Sequence, residues 1–455
     1  MIIHQFFVPG IAHSSYIVAG NKSCAVVDPE RDISRYIDAA MQMGLRITHI
    51  LETHLHADFI SGHLDLAKAT GAPIYAPGAG NCLFPHVPLQ EGDEIQLEDI
   101  RFSVMETAGH TPEHICYIAA DTGRGATPVA AFTGDTLFVG DVGRPDLFPG
   151  RSEELASSLF DSLHEKVLRL PDECEVYPAH GMGSLCGRAM SAKRSSTIGY
   201  EKKYNYALQI SDRREFIRSL TSNMPQAPDH FFRCSEINRA GPALMQDLMP
   251  PATLDLRSFA QRAGSGGSAV LDVRSYPAFS GLHIPGAWHI DLAGSFATQA
   301  GWVIPPEKEI LLVVEGRAQA KEAALQLHRV GLDRVAAYLE GGMLAWGASG
   351  LPVGRIPVIS PEQAHKLLQS GEATLIDVRS VEEKTSEHVE GSIDIAWHDL
   401  RSRYIELDPQ GRYIVMCKGG QRASIAASIL KMNGISRVCN LAGGFLAYQR
   451  AGYIP

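Results

Sequence analysis

The sequence lacks the features that distinguish membrane proteins, nucleic-acid-binding proteins and disulfide scaffolds from ordinary globular proteins. No stretch approaches the ~20 consecutive apolar residues of a membrane-spanning helix. There is no block of Lys and Arg, and the formal net charge is −10, so neither a membrane nor a nucleic acid is an expected partner. The 8 cysteines lie singly, without paired spacing, and the N-terminus lacks a basic segment followed by an apolar core. These absences favour a cytoplasmic enzyme with reduced thiols over a secreted disulfide scaffold.

What is present is a chain long enough for about three domains, with an internal repeat in its C-terminal half. The segment VLDVRS (270–275) resembles LIDVRS (375–380), and YLEGGMLAW (338–346) resembles NLAGGFLAY (440–448). Each copy alternates β-branched runs with amphipathic helices, which is typical of an α/β domain with a parallel sheet. The sequence therefore predicts three domains, with boundaries at 1–245, 252–350 and 356–455.

Local signals predict several helices. Ser360 and Gln363 have the spacing of a capping box, and a later amphipathic stretch over 421–433 ends at Gly434. Helices are also expected near 32–43 and 152–169, whereas strand-like runs dominate the rest of the first 245 residues.

Four groups of histidine and aspartate follow strand-like runs in the N-terminal region. THLHADFISGH (53–63) contains His54, His56 and Asp58, GHTP contains His110, TGD contains Asp135 and YPAH contains His180. Imidazoles and carboxylates grouped at strand ends are typical ligands of transition metals. The pattern predicts a metal site in the first domain.

These motifs resemble the metallo-β-lactamase superfamily, whose fold is an αββα sandwich with metals held by loops at one edge. In that family the pattern T-H-x-H-x-D-H feeds two metal sites, but here Phe59 stands at the last position, where a phenyl ring cannot ligate. The resemblance therefore implies that a second metal would lack one ligand.

A closer resemblance is to the persulfide dioxygenases of the same superfamily, through THLHADFISG, GHTP, TGD, YPAH and the element Gly143-Arg144-Pro145-Asp146. It implies that His54, His110 and Asp135 hold one Fe(II) per chain, with zinc possible in purified protein. Two imidazoles and one carboxylate are the ligand set of non-heme iron oxygenases. His56, Asp58 and His180 would lie close by, either orienting ligands and holding water or serving as structural polar groups.

Two further residues of this region have open alternatives. Arg144 would either contact the carboxylate of a thiol carrier or hold its own loop by pairing with Asp146. Cys186, in a Gly-rich segment after His180, would either accept or guide a persulfide or be a buried, inert thiol.

A second constellation lies in the C-terminal repeat copy, where the apolar run RYIVM (412–416) leads into Cys417-Lys418-Gly419-Gly420-Gln421-Arg422. Two glycines allow backbone N–H groups to form an anion nest, and the helix that follows favours a thiolate. The loop resembles the rhodanese family, which implies that Cys417 carries sulfane sulfur with Arg422 in the same cradle. The rival, a cysteine phosphatase, uses a C-x5-R loop that is one residue longer.

The first repeat copy keeps Asp272, Arg274 and the Gly341-Gly342 turn but has no cysteine at the corresponding position. Aligned on LLVV (311–314), that position holds Glu315, and a carboxylate is a poor carrier of sulfur. We therefore expect a non-catalytic rhodanese-like domain that serves for spacing or docking.

The resemblances together imply an iron persulfide dioxygenase fused to two rhodanese domains, of which only the second is active. Its partners would be a low-molecular-weight persulfide of glutathione, coenzyme A or a similar thiol, O₂, and sulfite or thiosulfate, and the chain is expected to form a homo-oligomer. One alternative is a zinc-dependent thioester hydrolase of glyoxalase II type with a sulfurtransferase tail. Another is a non-enzymatic sulfur carrier or redox sensor with a relic metal domain.

Overall fold

The computed structural model describes residues 1–222, 224–384 and 387–454. The chain forms two compact units. Unit 1 consists of Met1–Leu248 together with His328–Gly331, and unit 2 is the remainder. Among the described residues, no helix has the length and apolar character to cross a bilayer.

Two mixed sheets make up the centre of unit 1. In the described residues the first sheet has the order β1-β2-β3-β4-β5-β6 and the second the order β12-β11-β10-β9-β8-β7. The strands are β1 (Ile2–Val8), β2 (His13–Ala19), β3 (Ser23–Val27), β4 (Arg46–Leu51), β5 (Ile74–Pro77), β6 (Val87–Leu89), β7 (Glu94–Leu97), β8 (Ile100–Glu106), β9 (Ile115–Asp121), β10 (Ala130–Gly134), β11 (Glu175–Pro178) and β12 (Ser196–Thr197).

Helices cover the outer faces of both sheets. They are α1 (Ser34–Gln42), α2 (His63–Thr70), α3 (Ser152–Asp161), α4 (Ile198–Tyr204) and α5 (Arg213–Thr221), whereas α6 (His230–Ala240) contacts the loop after β4 through Asn238. One core lies between the sheets around Phe102, Tyr117 and Phe132, and two outer cores join the sheets to the helices. This confirms the predicted αββα sandwich.

The helices expected near 32–43 and 152–169 are also present, the second as α3 followed by a π turn (Ser162–Lys166) and a 3₁₀ turn (Val167–Arg169).

Unit 2 contains two α/β modules, each with a five-stranded sheet in which every recorded strand pair is parallel. The first has the strand order β13-β17-β16-β14-β15 and the second β18-β22-β21-β19-β20. Their strands are β13 (Ala252–Leu254), β14 (Ser268–Asp272), β15 (Trp288–His289), β16 (Glu309–Val313), β17 (Val335–Leu339), β18 (Val358–Ile359), β19 (Thr374–Asp377), β20 (Ile393–Asp394), β21 (Arg412–Met416) and β22 (Arg437–Leu441).

The helices of the two modules alternate with these strands. They are α7 (Leu256–Ala263), α8 (Tyr276–Gly281), α9 (Phe296–Val303), α10 (Arg317–His328), α11 (Gly342–Ala348), α12 (Pro361–Gln369), α13 (Val381–Lys384), α14 (Leu400–Arg403), α15 (Gln421–Met432) and α16 (Gly444–Arg450). The capping box of Ser360 and Gln363 is confirmed, and α15 matches the helix expected over 421–433.

The two modules of unit 2 pack directly against each other. The ring of Trp302 in the first module stacks on His398 of the second at 3.9 Å, and Ser428 on α15 accepts a hydrogen bond from the backbone N–H of His289. Because Ser428 lies on α15, the helix that follows the Cys417 loop contacts the first module directly.

Candidate metal centre and cysteine loop

Three loops of unit 1 bring His54, His110 and Asp135 to one point. The Nε2 atom of His110 lies 3.2 Å and that of His54 3.9 Å from Oδ2 of Asp135. All three residues are fully buried, and these three atoms have no hydrogen-bond partner among the described residues. Buried polar atoms normally have a hydrogen-bond partner. Three acceptor atoms that converge without such a partner therefore fit the ligand set of a metal ion.

The other side of each ligand is held by a protein partner. Nδ1 of His110 bonds to the carbonyl oxygen of Arg144 at 2.9 Å, which fixes the proton on Nδ1. Nδ1 of His54 bonds to Oγ1 of Thr53, which itself donates to Asp28. In both rings Nε2 is thereby left as the lone-pair atom, the tautomer that metal binding requires.

The electrostatics of the trio match the same requirement. Burial lowers the pKa of His54 well below its ordinary value, and burial also lowers the pKa of His110. For Asp135, burial opposes ionisation, but the neighbouring His180 and His110 outweigh it and hold its pKa well below the usual range. Neutral imidazoles and an ionised carboxylate are the forms that ligate metals.

The three residues expected nearby take up different positions. His180 bonds through Nδ1 to Oδ1 of Asp135 at 2.7 Å, and its Nε2 lies 2.8 Å from Asp58. The ring of His56 lies 4.1 Å from that of His54, and its Nε2 lies 3.3 Å from Asp28. His180 thus orients Asp135, and Asp58 orients His180.

Phe59 is completely buried, and its ring lies 4.1 Å from the ring of His13 and 4.5 Å from that of His56. An apolar ring, which cannot bind a metal, therefore lies beside His56.

Cys186 is buried beside this group, with its sulfur within 4.8 Å of ligand atoms of Asp58 and His180. It packs in a small apolar cluster with Ala57 and Phe138. The thiol thus adjoins the candidate metal centre, on the side of Asp58.

The side chain of Arg144 bonds to other groups of the protein. It is 2% exposed, forms a bidentate pair with Asp146 at 2.7 and 2.8 Å, and donates to the carbonyl oxygens of Leu185 and Pro225. Because its donors are engaged and it is buried, the geometry favours the loop-holding alternative over contact with a substrate.

One residue of this centre was missed by the sequence reasoning. His114 accepts the backbone N–H of Asp135 through Nε2 at 2.9 Å and stacks on His54 at 4.7 Å between ring centres. His114 directly precedes β9 and lies four residues after His110, and this spacing could have indicated that it belongs to the same centre.

The second constellation forms a closed loop between β21 and α15. Sγ of Cys417 accepts a hydrogen bond from the N–H of Gly420 at 3.0 Å, and Gly420 takes φ +106°, which favours glycine. Cys417 is 1% exposed, whereas Lys418, Gly419 and Gln421 are exposed. The loop thus presents a backbone N–H to the sulfur, as expected for a nest.

Two residues near this loop were not predicted. Glu383 forms a bidentate ion pair with Arg422 at 2.6 and 2.7 Å. Tyr276 of the first module lies against Gly420, since a Cβ added there would be 3.4 Å from its Cζ. Neither residue belongs to a motif that sequence spacing could assign.

The strand register corrects the expected alignment of the first module. Asp272 pairs with Val313 and Asp377 pairs with Met416, so the residue at the position of Cys417 is Val314, and Glu315 corresponds to Lys418. The segment between β16 and α10 is one residue shorter than that between β21 and α15. The first module therefore lacks the cysteine, and Gly316, which directly precedes α10 as Gly420 precedes α15, does not have a positive φ.

Comparison with known proteins agrees with this architecture. The metallo-β-lactamase superfamily matches residues 8–180, and the rhodanese-like domain matches residues 255–349 and 360–451. A solved metallo-β-lactamase structure from Staphylococcus aureus is 36% identical, with a TM-score of 0.67, and the match covers 74% of this chain and 98% of that one. The chain therefore belongs to the metallo-β-lactamase superfamily, in a form fused to two rhodanese-like domains.

Curated relatives include persulfide dioxygenases and hydroxyacylglutathione hydrolases. The mitochondrial persulfide dioxygenase ETHE1 of Bos taurus is 28% identical over 50% of this chain and 83% of its own length. A hydroxyacylglutathione hydrolase of Pseudomonas entomophila is 29% identical over 48% of this chain and 80% of its own length. The relatives support an enzyme with a metal centre but do not separate a dioxygenase from a hydrolase.

Proposed function

We propose that this protein is a mononuclear iron persulfide dioxygenase coupled to a rhodanese-type sulfurtransferase. The observation that carries the proposal is the convergence of three buried, unpartnered ligand atoms on His54, His110 and Asp135. Two imidazoles and a carboxylate leave coordination positions open for a sulfur substrate and O₂. Phe59 removes the side chain that a second metal would use.

The proposed reaction is R–S–SH + O₂ + H₂O → R–SH + SO₃²⁻ + 2 H⁺, in which the outer sulfur is oxidised and O₂ is reduced. Bound iron would supply the binding and activation of O₂ and of the persulfide sulfur. The chain's own residues keep the ligands in place: Arg144 and Thr53 through the Nδ1 atoms of the two histidines, and His180 through Oδ1 of Asp135. Cys186 adjoins this centre and is a candidate for contact with the incoming sulfur.

The second site would use the product of the first. A persulfide on Cys417 transfers its outer sulfur to sulfite, Cys–S–S⁻ + SO₃²⁻ → Cys–S⁻ + S₂O₃²⁻, so the S–S bond of Cys417 breaks as that of thiosulfate forms. Because both sites belong to one chain, the covalent link would raise the effective concentration of sulfite, the acceptor, at the Cys417 persulfide, the donor. The Gly420 N–H that bonds Sγ of Cys417 would stabilise the thiolate leaving group.

A zinc-dependent thioester hydrolase is the second candidate, since hydroxyacylglutathione hydrolases are among the relatives. It is disfavoured by Phe59, which fills the space beside His56 with an apolar ring. A non-enzymatic carrier with a relic metal domain is disfavoured by the intact ligand trio. Metal analysis separates the candidates: one iron with O₂ uptake on adding glutathione persulfide supports the dioxygenase, and two zincs with thioesterase activity support the hydrolase.

The test of the metal assignment is Asp135→Asn. We expect loss of bound iron and a fall of persulfide-dependent O₂ uptake of at least about 100-fold, since a ligand is removed, while thiocyanate formation from thiosulfate and cyanide persists. Asp172→Asn, which alters an exposed aspartate of unit 1, is the matched control and should keep both activities. An iron-loaded, fully active Asp135→Asn protein would overturn the assignment.

A further inference from the structure

The ion pair between Glu383 and Arg422 lies in the Cys417 site, and sulfur transfer does not by itself require it. Both oxygens of Glu383 accept from the terminal nitrogens of Arg422, and both side chains are about one-quarter exposed. Oε2 of Glu383 also accepts the backbone N–H of Ser380 at 3.1 Å. The guanidinium therefore directs its paired donors at a carboxylate of the protein.

The pair is held from the scaffold side as well. Arg379 donates to the backbone oxygen of Glu383 at 3.3 Å while it is paired with Asp377. Burial acts to raise the pKa of Glu383, but its bonds to Arg422 outweigh this and lower it, so the carboxylate is charged at neutral pH. A carboxylate fixed in this way neutralises the charge of Arg422.

The first module shows that the fold does not need this pair. Counting from the shared Asp272 and Asp377, the position of Glu383 is held by Ala278. Counting from the starts of α10 and α15, the position of Arg422 is held by Ala318. The module without a cysteine thus has alanine at both positions, whereas the module with Cys417 has both charged residues.

A bidentate guanidinium is also the group that best recognises sulfur oxyanions such as sulfite and thiosulfate. An oxyanion that reaches the loop must compete with Glu383 for the same two donors. Since the pair is only partly exposed, the competition weakens anion binding without preventing it.

We propose that Glu383 is a specificity-determining residue that acts as an internal competitor for sulfur oxyanions at Arg422. It keeps the affinity of the Cys417 site for thiosulfate low, so thiosulfate departs as a product and serves poorly as a donor. The inference rests on the proposed sulfurtransferase function of Cys417. A purely structural role for Glu383 predicts the reverse, because loss of a support for Arg422 would weaken anion binding.

The test uses full-length Glu383→Gln, which keeps the shape of the side chain and removes its charge. With thiosulfate as donor and cyanide as acceptor, we expect the KM for thiosulfate to fall by about three- to tenfold, with kcat within about twofold. Glu383→Asp, which keeps the charge but shortens the reach, should show a smaller fall. Glu406→Gln removes the exposed bidentate partner of Arg403 in the same module and should leave KM unchanged.

A second measurement does not depend on turnover. Sulfate, which carries no sulfane sulfur, should protect Cys417 from alkylation, measured on the Cys417 peptide by mass spectrometry, at a lower concentration in Glu383→Gln than in the parent. An unchanged or higher KM, or an unchanged or higher half-protecting concentration, in a folded Glu383→Gln protein would overturn the inference. Absence of thiocyanate formation in both the parent and Glu383→Gln would instead refute the sulfurtransferase function, and the protection measurement would still decide the role of Glu383.

Discussion

The two rhodanese-like modules of unit 2 share a scaffold and differ in one loop. In both, an arginine two residues after the aspartate at the end of a central strand pairs with that aspartate, Arg274 with Asp272 and Arg379 with Asp377. In both, a Gly-Gly turn with positive φ precedes the last helix and packs against the segment after the neighbouring strand. The parallel sheet and its supports are therefore independent of the chemistry.

The difference lies in the segment after β16 and β21. The second module has Cys417, the left-handed Gly420 and Arg422, whereas the first has Val314, Gly316 without a positive φ, and Ala318. Because the segment is one residue shorter and has no glycine at positive φ before the helix, we expect that restoring a cysteine alone does not restore the nest. We therefore expect loop length and two or three side chains, rather than the fold, to decide the proposed sulfurtransferase activity.

The largest effect is expected from moving the cysteine between the modules. Cys417→Ser should lower thiocyanate formation by at least about 1,000-fold, because the nucleophile is lost, and should shift the product of persulfide oxidation from thiosulfate to sulfite with O₂ uptake unchanged. Adding Val314→Cys to Cys417→Ser should restore nothing, since the shorter loop has no glycine at positive φ before the helix.

Two outcomes would break this prediction. Recovery of sulfur transfer by the Val314→Cys addition would show that loop length is not decisive. An unchanged ratio of sulfite to thiosulfate in Cys417→Ser would show that the metal centre and the cysteine act independently.

The sequence predicted much of this arrangement because motifs report on local structure. His54, His110, Asp135 and His180 each follow a strand-like run, and strand ends gather at one edge of a sandwich, so their proximity could be predicted. The loop of Cys417 and its glycines could be predicted for the same reason, because a nest is built from consecutive residues.

What could not be predicted depends on contacts between distant segments. Asp28 supports His54 through Thr53, and Glu383 meets Arg422 across 39 residues of sequence. Their partners are set by strand order and register, which no spacing rule provides. The same limit explains why Glu315 was aligned with Cys417. The apolar residues before both positions are similar, so the sequence left the alignment uncertain by one residue, and the pairing of Asp272 with Val313 decides it.

The next effect concerns the two Gly-Gly turns. A Cβ on Gly444 would lie 2.1 Å from the carbonyl oxygen of Cys417, and one on Gly342 2.7 Å from that of Val314, both at positive φ. We expect each Gly→Ala change to lower the free energy of unfolding by about 2–4 kcal/mol, measured by denaturant titration.

The two changes should differ in activity. Gly444→Ala displaces the backbone of Cys417 and should lower sulfur transfer about tenfold in the folded protein, whereas Gly342→Ala should leave it unchanged. Gly371→Ala is the control for positive φ alone, since nothing lies near its added Cβ. Equal losses of activity from Gly342→Ala and Gly444→Ala would contradict the separation of scaffold and loop.

The smallest effect tests whether the first module does more than space the domains. Tyr276 at the start of α8 lies against Gly420, whereas the residue at its position in the second module, Val381, is 70% exposed. Removing the ring by Tyr276→Ala leaves the Cys417–Gly420 hydrogen bond in place but opens space beside it, so kcat/KM for sulfur transfer should fall only about two- to fivefold. Tyr276→Phe keeps the ring and loses only the hydroxyl, which lies 3.5 Å from the same point, so it should retain most of the activity, and Val381→Ala should have no effect. A folded Tyr276→Ala protein with unchanged kcat/KM would mean that the first module is a spacer, because the contact that joins it to the cysteine loop would then contribute nothing to the geometry of that loop.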